Sequence, residues 1–328
     1  MTAPYFQGRH ERGIVQYSGF ILLAAILLLP TLLPEKTGWL TSLVPLPIFY
    51  YLVSLGNKKG SILIRNCIFL AAVGALIFGS LPLLVFSLTL VPLGIAFSYG
   101  VFHGKSPATT GFIGSLVLAF TWLLYWSVLA MLHQTNPYAT LLAELDNGLS
   151  SGLMLYEESA ELGPETLESV RRAVELLRIY IPKILPALLV SALLSTVWLN
   201  MALGNWLLKK KDQELTSWPE FNEWKLPDPL VWFVIVSGAI FFLLPQPLNL
   251  LGLNGIIICS TLYFFQGLAI VASLLNKWSV PRLFRVLIYA LIFVQTYGII
   301  LLSFLGLADV WADFRKLNQA DESSNSSI

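Results

Sequence analysis

The sequence predicts an all-α fold, a polytopic bundle of membrane-spanning helices. Of the 328 residues 56% are hydrophobic and only 12% charged, against about a quarter charged in soluble domains. Mean hydropathy is +0.73. The apolar residues come in uncharged runs of about twenty, the length that crosses a hydrocarbon core of roughly 30 Å. Runs so long and uniformly apolar exclude the alternating strands of a barrel, and lipid-exposed backbone must satisfy its own hydrogen bonds, so the spans are helices.

The first span, about 14–33, includes GIVQYSGFILLAAILLLPTLL. It is too long for a signal-peptide core and ends at Pro34-Glu35-Lys36 without a small-x-small cleavage site, so it is expected to stay in the mature protein. Further spans are predicted at about 39–55, 62–79, 82–102, 109–132, 183–208, 229–247, 250–275 and 283–306, about nine in all. The second carries Pro45 and Pro47, which remove helical hydrogen bonds at membrane depth and predict a broken or interfacial segment. Pro245 and Pro247 punctuate the short PQPLN connection between the seventh and eighth spans. The chain divides into an N-terminal bundle of about five helices (1–132), an acidic helical hairpin (133–181), a C-terminal bundle of about four helices (182–306) with an aromatic loop at 209–228, and an interfacial helix with a mobile tail (307–328).

The basic residues orient the bundle. With the N-terminus cytoplasmic, thirteen Lys and Arg fall inside, among them Lys58, Lys59, Arg65, Lys105, Lys209 and Lys225. Seven fall outside: Lys36, Arg171, Arg172, Arg178, Lys183, Arg315 and Lys316. That asymmetry favours this orientation by the positive-inside rule. Nine spans leave Arg315-Lys316 outside, where they fit poorly. Eight spans plus one re-entrant segment would return them, and both counts stay open. The 133–181 insertion, rich in Glu, suits the outer face. Leu142, Leu145, Leu149 and Leu153, then Leu167, Val170, Val174, Leu177 and Ile181, repeat at helical steps around Gly163-Pro164. A hairpin lying over the membrane surface is expected.

Nothing in the residues points to catalysis. HExxH, GxSxG and Walker patterns are missing, and His10, His103 and His133 are too far apart in sequence for metal-ligand spacing. No enzyme activity, metal or cofactor is expected. A net charge of +1 provides no field for nucleic acid. Cys67 and Cys259 lie in apolar runs and read as small hydrophobes. Gln266, Gln295 and Asn254 sit within spans, where an amide needs partners, so they are expected to face the bundle, as interhelical hydrogen bonds or as a polar patch on a cavity. Ala71, Ala75 and Gly79, and Gly111, Ser115 and Ala119, read as close-packing stripes. In TSWPEFNEWKLPDP, the residues Trp218, Phe221, Trp224 and Lys225 read as interfacial anchors or a partner-docking surface. Leu307, Val310, Trp311, Phe314 and Leu317 share one face of a short interfacial helix.

The ordered segments EFNEWKLPDPLVW, FFQGLAIVASLLNKWSVPRLFR and FLGLADVWADFRK, with LVPLPIFYYLVSLGNKKGSIL earlier, resemble the YybS-like bacterial membrane proteins, a family of unknown function. The distinctive pieces are Trp224-Lys225-Leu226-Pro227, Gln266-Gly267 and Gly306 to Arg315. The resemblance implies a distant similarity to the substrate-binding subunits of energy-coupling-factor transporters, helical bundles that hold micronutrients near the outer face. The first helix departs from that pattern, having no regular Ala-x-x-x-Ala stripe.

The functional expectation is a multi-pass protein of the bacterial inner membrane that binds or transports a small solute as a subunit without its own ATPase. Its partners would be the lipid bilayer, the solute and an energising transporter protein. Trp39, Pro45, Pro47, Tyr50 and Tyr51 are the candidate ligand residues, because irregular backbone at membrane depth is where transporters commonly place sites. The alternative is a non-transporting scaffold acting through the outer hairpin and the 216–229 loop.

Overall fold

The computed structural model describes residues 9–158, 163–210 and 218–315. Among the described residues the regular elements are all helical. They are α1 (Arg9–Leu32), α2 (Pro34–Thr37), α3 (Pro45–Ile77), α4 (Leu81–Leu88), α5 (Val91–Phe102), α6 (Pro107–His133), α7 (Pro137–Glu158), α8 (Pro164–Lys209), α9 (Leu230–Leu243), α10 (Asn249–Lys277), α11 (Arg282–Val294) and α12 (Thr296–Ala312). Short 3-10 turns occupy Gly38–Leu43 and Phe221–Glu223.

Proline and glycine place the breaks. Pro45 and Pro47 have no amide hydrogen, so the second expected span opens as the 3-10 turn and becomes α-helical only from Pro45. Gly56, at φ 77° and ψ 161°, adopts a backbone open essentially to glycine and splits α3 into arms 45–55 and 57–77. The arms fold back on each other: a Cβ added to Gly60 would stand 2.8 Å from the carbonyl oxygen of Tyr51, whereas residues nine apart in a straight helix are about 13 Å apart. The helix that is continuous by hydrogen bonding is therefore two expected elements.

Among the described residues five segments are long and apolar enough to cross a membrane: Pro45–Ile77, Leu81–Phe102, Pro107–His133, Pro164–Lys209 and Asn249–Lys277. A sixth is added if the bent pair α11–α12 counts as one, and Gly19–Leu32 and Leu230–Leu243 are shorter apolar helices. The polytopic helical bundle is the observed fold, and nine separate spans is a finer count than these helices define. The 283–306 run departs most. It is not a straight helix: the chain bends by 103° around Gln295, as a broken span or a re-entrant loop would.

The N-terminal core is apolar, built from Leu23 and Leu27 of α1, Phe49 of α3, Leu93 and Phe97 of α5 and Met201 of α8. Ala71 and Ala75 are fully buried, whereas Gly79, at φ 68°, ends its helix rather than extending their stripe. On α6 the buried stripe is Thr110, Gly114 and Leu118, with Gly114 set against Phe97 and Leu93. Helices α8 and α10 run parallel, joined by Asn254 to residues 183 and 187 and by Thr261 to Ser191. Helix α12 runs parallel to α10 too. Ser303 Oγ donates to the Ser260 carbonyl and Gln266 Nε2 to Asp309, each pair 43 residues apart.

At 46 residues α8 is about 69 Å long, more than twice the hydrocarbon thickness, so its first turns project beyond the membrane. There α7 packs along it. Leu142, Leu145, Leu149 and Leu153 are half-buried against Leu167, Val170 and Val174, so the two arms cover one another's apolar faces. The hairpin lies along an extended α8 rather than as a cap over the bundle. The separate interfacial helix expected from residue 307 is the end of α12, which stops at Asp313 in the left-handed region. The remaining positions of that tail, 316–328, lie outside the described residues.

Candidate functional site

A buried polar knot closes the basic-loop end of the C-terminal half. The Asp309 carboxylate accepts from Arg315 Nη2 at 2.8 Å and Gln266 Nε2 at 3.2 Å on one oxygen, and from the Phe314 amide at 3.0 Å on the other. The ion pair is almost sealed, with side chains 1% and 2% exposed. Arg315 also donates through Nη1 to the carbonyls of Asn222 and Trp224, at 2.9 and 2.8 Å. Gln266 completes the circuit by accepting from the Leu226 amide at 3.1 Å. Every acceptor bond here is to a charged group or a backbone amide, the kind that is costly to leave unmade in a low-dielectric interior.

Close backbone approach makes the knot possible. Gly267 and Gly306 sit where α10 and α12 touch, and a Cβ on either would collide with the carbonyl of Leu302 or Tyr263. The loop is held by rings. Phe97, Phe49, Trp218, Trp224, Phe221, Trp198 and Phe265 form an unbroken chain of neighbours with centroids 4.4–5.9 Å apart, the Trp198–Phe265 pair stacked at 4°. Trp218 Nε1 donates to the Lys105 carbonyl at 3.0 Å, and Asn205 Nδ2 reaches Pro219. The aromatic loop thereby ties α5 of the first half to α10 of the second.

Trp218, read as an anchor or docking residue, is 2% exposed and spent inside the protein. Phe221 and Trp224 pack against the bundle as well, and Lys225 pairs with Asp228 at 2.9 Å. Gln266 is a buried interhelical amide. Gln295 is not: it sits exposed at the α11–α12 bend, where the helix unwinds, so it faces no bundle interior. Asn254 repairs α8 near Pro186. Its amide receives the Ala187 N–H at 2.9 Å and donates to the Lys183 carbonyl at 2.9 Å, bridging two groups that a regular helix pairs with each other. The Pro182 carbonyl, whose donor Pro186 lacks, takes the Tyr138 hydroxyl at 2.9 Å.

The second-span candidates do not gather into a site. Trp39 is 67% exposed, while Pro45, Pro47, Tyr50 and Tyr51 are buried. From Trp39 to Tyr51 the chain climbs roughly 20 Å through 3-10 and α-helical turns. The Ser42 carbonyl freed at the break is taken by Asn200 Nδ2 of α8 at 2.8 Å. Protein satisfies it.

A different cavity, of about 640 Å³, opens between the second arm of α3 and α5. Asn57, Ser61, Arg65, Tyr99 and His103 are among its polar lining, and Ile64, Ile68, Val91 and Ile95 among its apolar lining. His103 Nδ1 lies 2.8 Å from the Tyr99 carbonyl, and the two rings lie 3.9 Å apart. The sequence had assigned Arg65 only to a helix end.

Asp309 is the residue that sequence reasoning missed. Arg315's poor fit outside and Gln266's need for a partner were the two signals that could have found it. In the structure Arg315 meets the 218–228 loop, so it lies on the side of Lys105 and Lys209. That takes Arg315 out of the outside set and strengthens the basic asymmetry.

Fold and site define a multi-pass α-helical membrane protein whose two halves are tied at one end by a loop. The chain belongs to the family described as predicted membrane protein (DUF2232), whose model matches residues 21–310. No curated protein and no solved structure matches the chain significantly. All three distinctive segments, Trp224 to Pro227, Gln266-Gly267 and Gly306 to Arg315, meet in the knot.

Proposed function

We propose that the chain is a solute-binding subunit of the bacterial cytoplasmic membrane, without catalytic activity of its own, energised by a separate partner in the manner of energy-coupling-factor transporters. The observation that carries this reading is the cavity between α3 and α5. Its size lies in the range of small-molecule sites, and a few polar groups interrupt an otherwise apolar lining. The site therefore moves from the Trp39–Tyr51 stretch to the Asn57–Arg65 and Ile95–His103 faces.

The test is stabilisation of the purified protein by a panel of vitamins, nucleobases, amino acids and lipids, since a ligand bound to the folded state raises its melting temperature. Ile95→Trp, which fills the cavity, should abolish the shift while Trp39→Ala leaves it. The reverse result would return the site to the second span. A scaffold reading draws on one observation, the exposed Met154, Leu155, Leu176 and Ile179 on the outer hairpin. Normal solute uptake in a deletion strain, together with no stabilisation by any compound, would favour it.

A further inference from the structure

We infer that the α3–α5 cavity takes an anionic phospholipid from the leaflet on the basic-loop side, its phosphate at Arg65 and His103 and its chains along Ile64, Ile68, Val91 and Ile95. The inference rests on the solute-site reading and names the class of molecule.

Arg65 carries the argument. The arm 57–77 is 21 residues long, about 31 Å, which just matches the hydrocarbon thickness. Arg65 lies eight residues along it, on the order of 12 Å from its start. Its side chain is exposed and has no acidic partner or side-chain hydrogen bond among the described residues. Arg171, Arg172, Arg178, Arg285 and Arg315 all bond to protein acceptors. Arg282, which also has none, starts a helix at the chain turn, where water is at hand. A guanidinium within the hydrocarbon layer needs an anion or must snorkel. Among the described residues no carboxylate lines the cavity.

The rest of the wall fits a tailed anion better than a free one. Ile95, Tyr99 and Phe102 are 52%, 50% and 47% exposed on the flank of the bundle, so the cavity opens sideways toward lipid rather than only into water. Lys58, Lys59 and Lys105 stand at the adjoining helix ends, adding positive potential at headgroup level. Guanidinium pairs with phosphate through parallel donors. The lining thus offers Arg65 and His103 to an anionic head and its isoleucines and valine to an acyl chain.

The test uses the full chain in an uncharged detergent, titrated with phosphatidylglycerol, with phosphatidylcholine of the same acyl chains, and with glycerol 3-phosphate. Phosphatidylglycerol should stabilise at about tenfold lower concentration than phosphatidylcholine. Arg65→Gln should erase that preference, while Lys277→Gln, a basic-end control outside the cavity, should keep it. Ile95→Trp should weaken the response to both lipids, each read against the lipid-free protein of the same variant. Equal response to the two lipids, or a preference that survives Arg65→Gln, overturns the inference. Stabilisation by glycerol 3-phosphate as strong as by the lipid overturns the lipid assignment yet leaves the solute site standing. No shift from any lipid, anion or panel compound removes both.

Discussion

The two ends of the bundle place charge in opposite ways. On the α7–α8 hairpin, Arg171–Glu157, Arg172–Glu168 and Arg178–Asp146 pair at 2.8, 3.6 and 2.7 Å with side chains 36–69% exposed. At the loop end Arg315–Asp309 pairs at 2.8 Å with almost no exposure. Distances differ little, but solvent differs greatly. Water screens and competes for the hairpin pairs, so each contributes little, and the leucine faces hold that hairpin together. The buried pair has lost its water, so it depends on every bond from Gln266, Phe314, Asn222 and Trp224. Its value lies in specificity: it fixes which loop, which helix and which end of the chain meet.

Side of the membrane is the sharpest way to break this comparison, because the outcome is all or none. In a version with Cys67→Ala and Cys259→Ala, single cysteines replacing Glu220 and Ser323 should share one accessibility to an impermeant reagent in intact cells, and one replacing Ser151 the other. Labelling of 323 together with 151 would show that the knot does not form in the membrane.

Asp309→Ala should produce the largest energetic effect, a loss of about 3–5 kcal/mol, because it strands the buried Arg315. Adding Arg315→Met should recover much of it, since removing both charges removes the desolvation cost as well. Thermal or denaturant unfolding in detergent reads both, and a single mutant no worse than the double would mean that the pair is hydrated. Next comes Gln266→Leu, which leaves the Leu226 amide and one Asp309 bond unmade, at about 1–3 kcal/mol. Asn254→Leu should cost a similar amount by reopening α8 beside Pro186, and Pro186→Ala in the same chain should reduce that cost by restoring the helical donor. Smallest is Arg178→Ala on the hairpin, expected within about 1 kcal/mol of the parent by the same measurement. A larger loss would place that pair in a drier setting than its exposure implies.

Much of the architecture was legible before any coordinates. Charge-free length marked the membrane, Pro45 and Pro47 marked the broken second span, and the leucine steps on both sides of Gly163 marked the hairpin arms. Gln266 was read as a buried amide for a sound reason, that hydrocarbon offers an amide no partner. The same reasoning failed for Gln295 because a helix break places it at a bend on the surface. Trp218, Phe221 and Trp224 misled because aromatic residues beside charges look alike whether they rest on a membrane or fill the space between two halves. Arg65 was counted toward orientation without notice that no acid stands near it.

What the sequence determined by itself is local: solvent, helix, break and face, each set by residues within a few turns of one another. What only the tertiary structure decided is who meets whom. Asp309 with Gln266 across 43 residues, Arg315 with Asn222 across 93 and Trp218 with Lys105 across 113 leave no periodic trace along the chain. The physical reason is that hydrocarbon rewards any apolar helix alike, so hydropathy cannot choose partners. In a membrane that choice falls to close glycine contacts and to the few polar groups that must find one another.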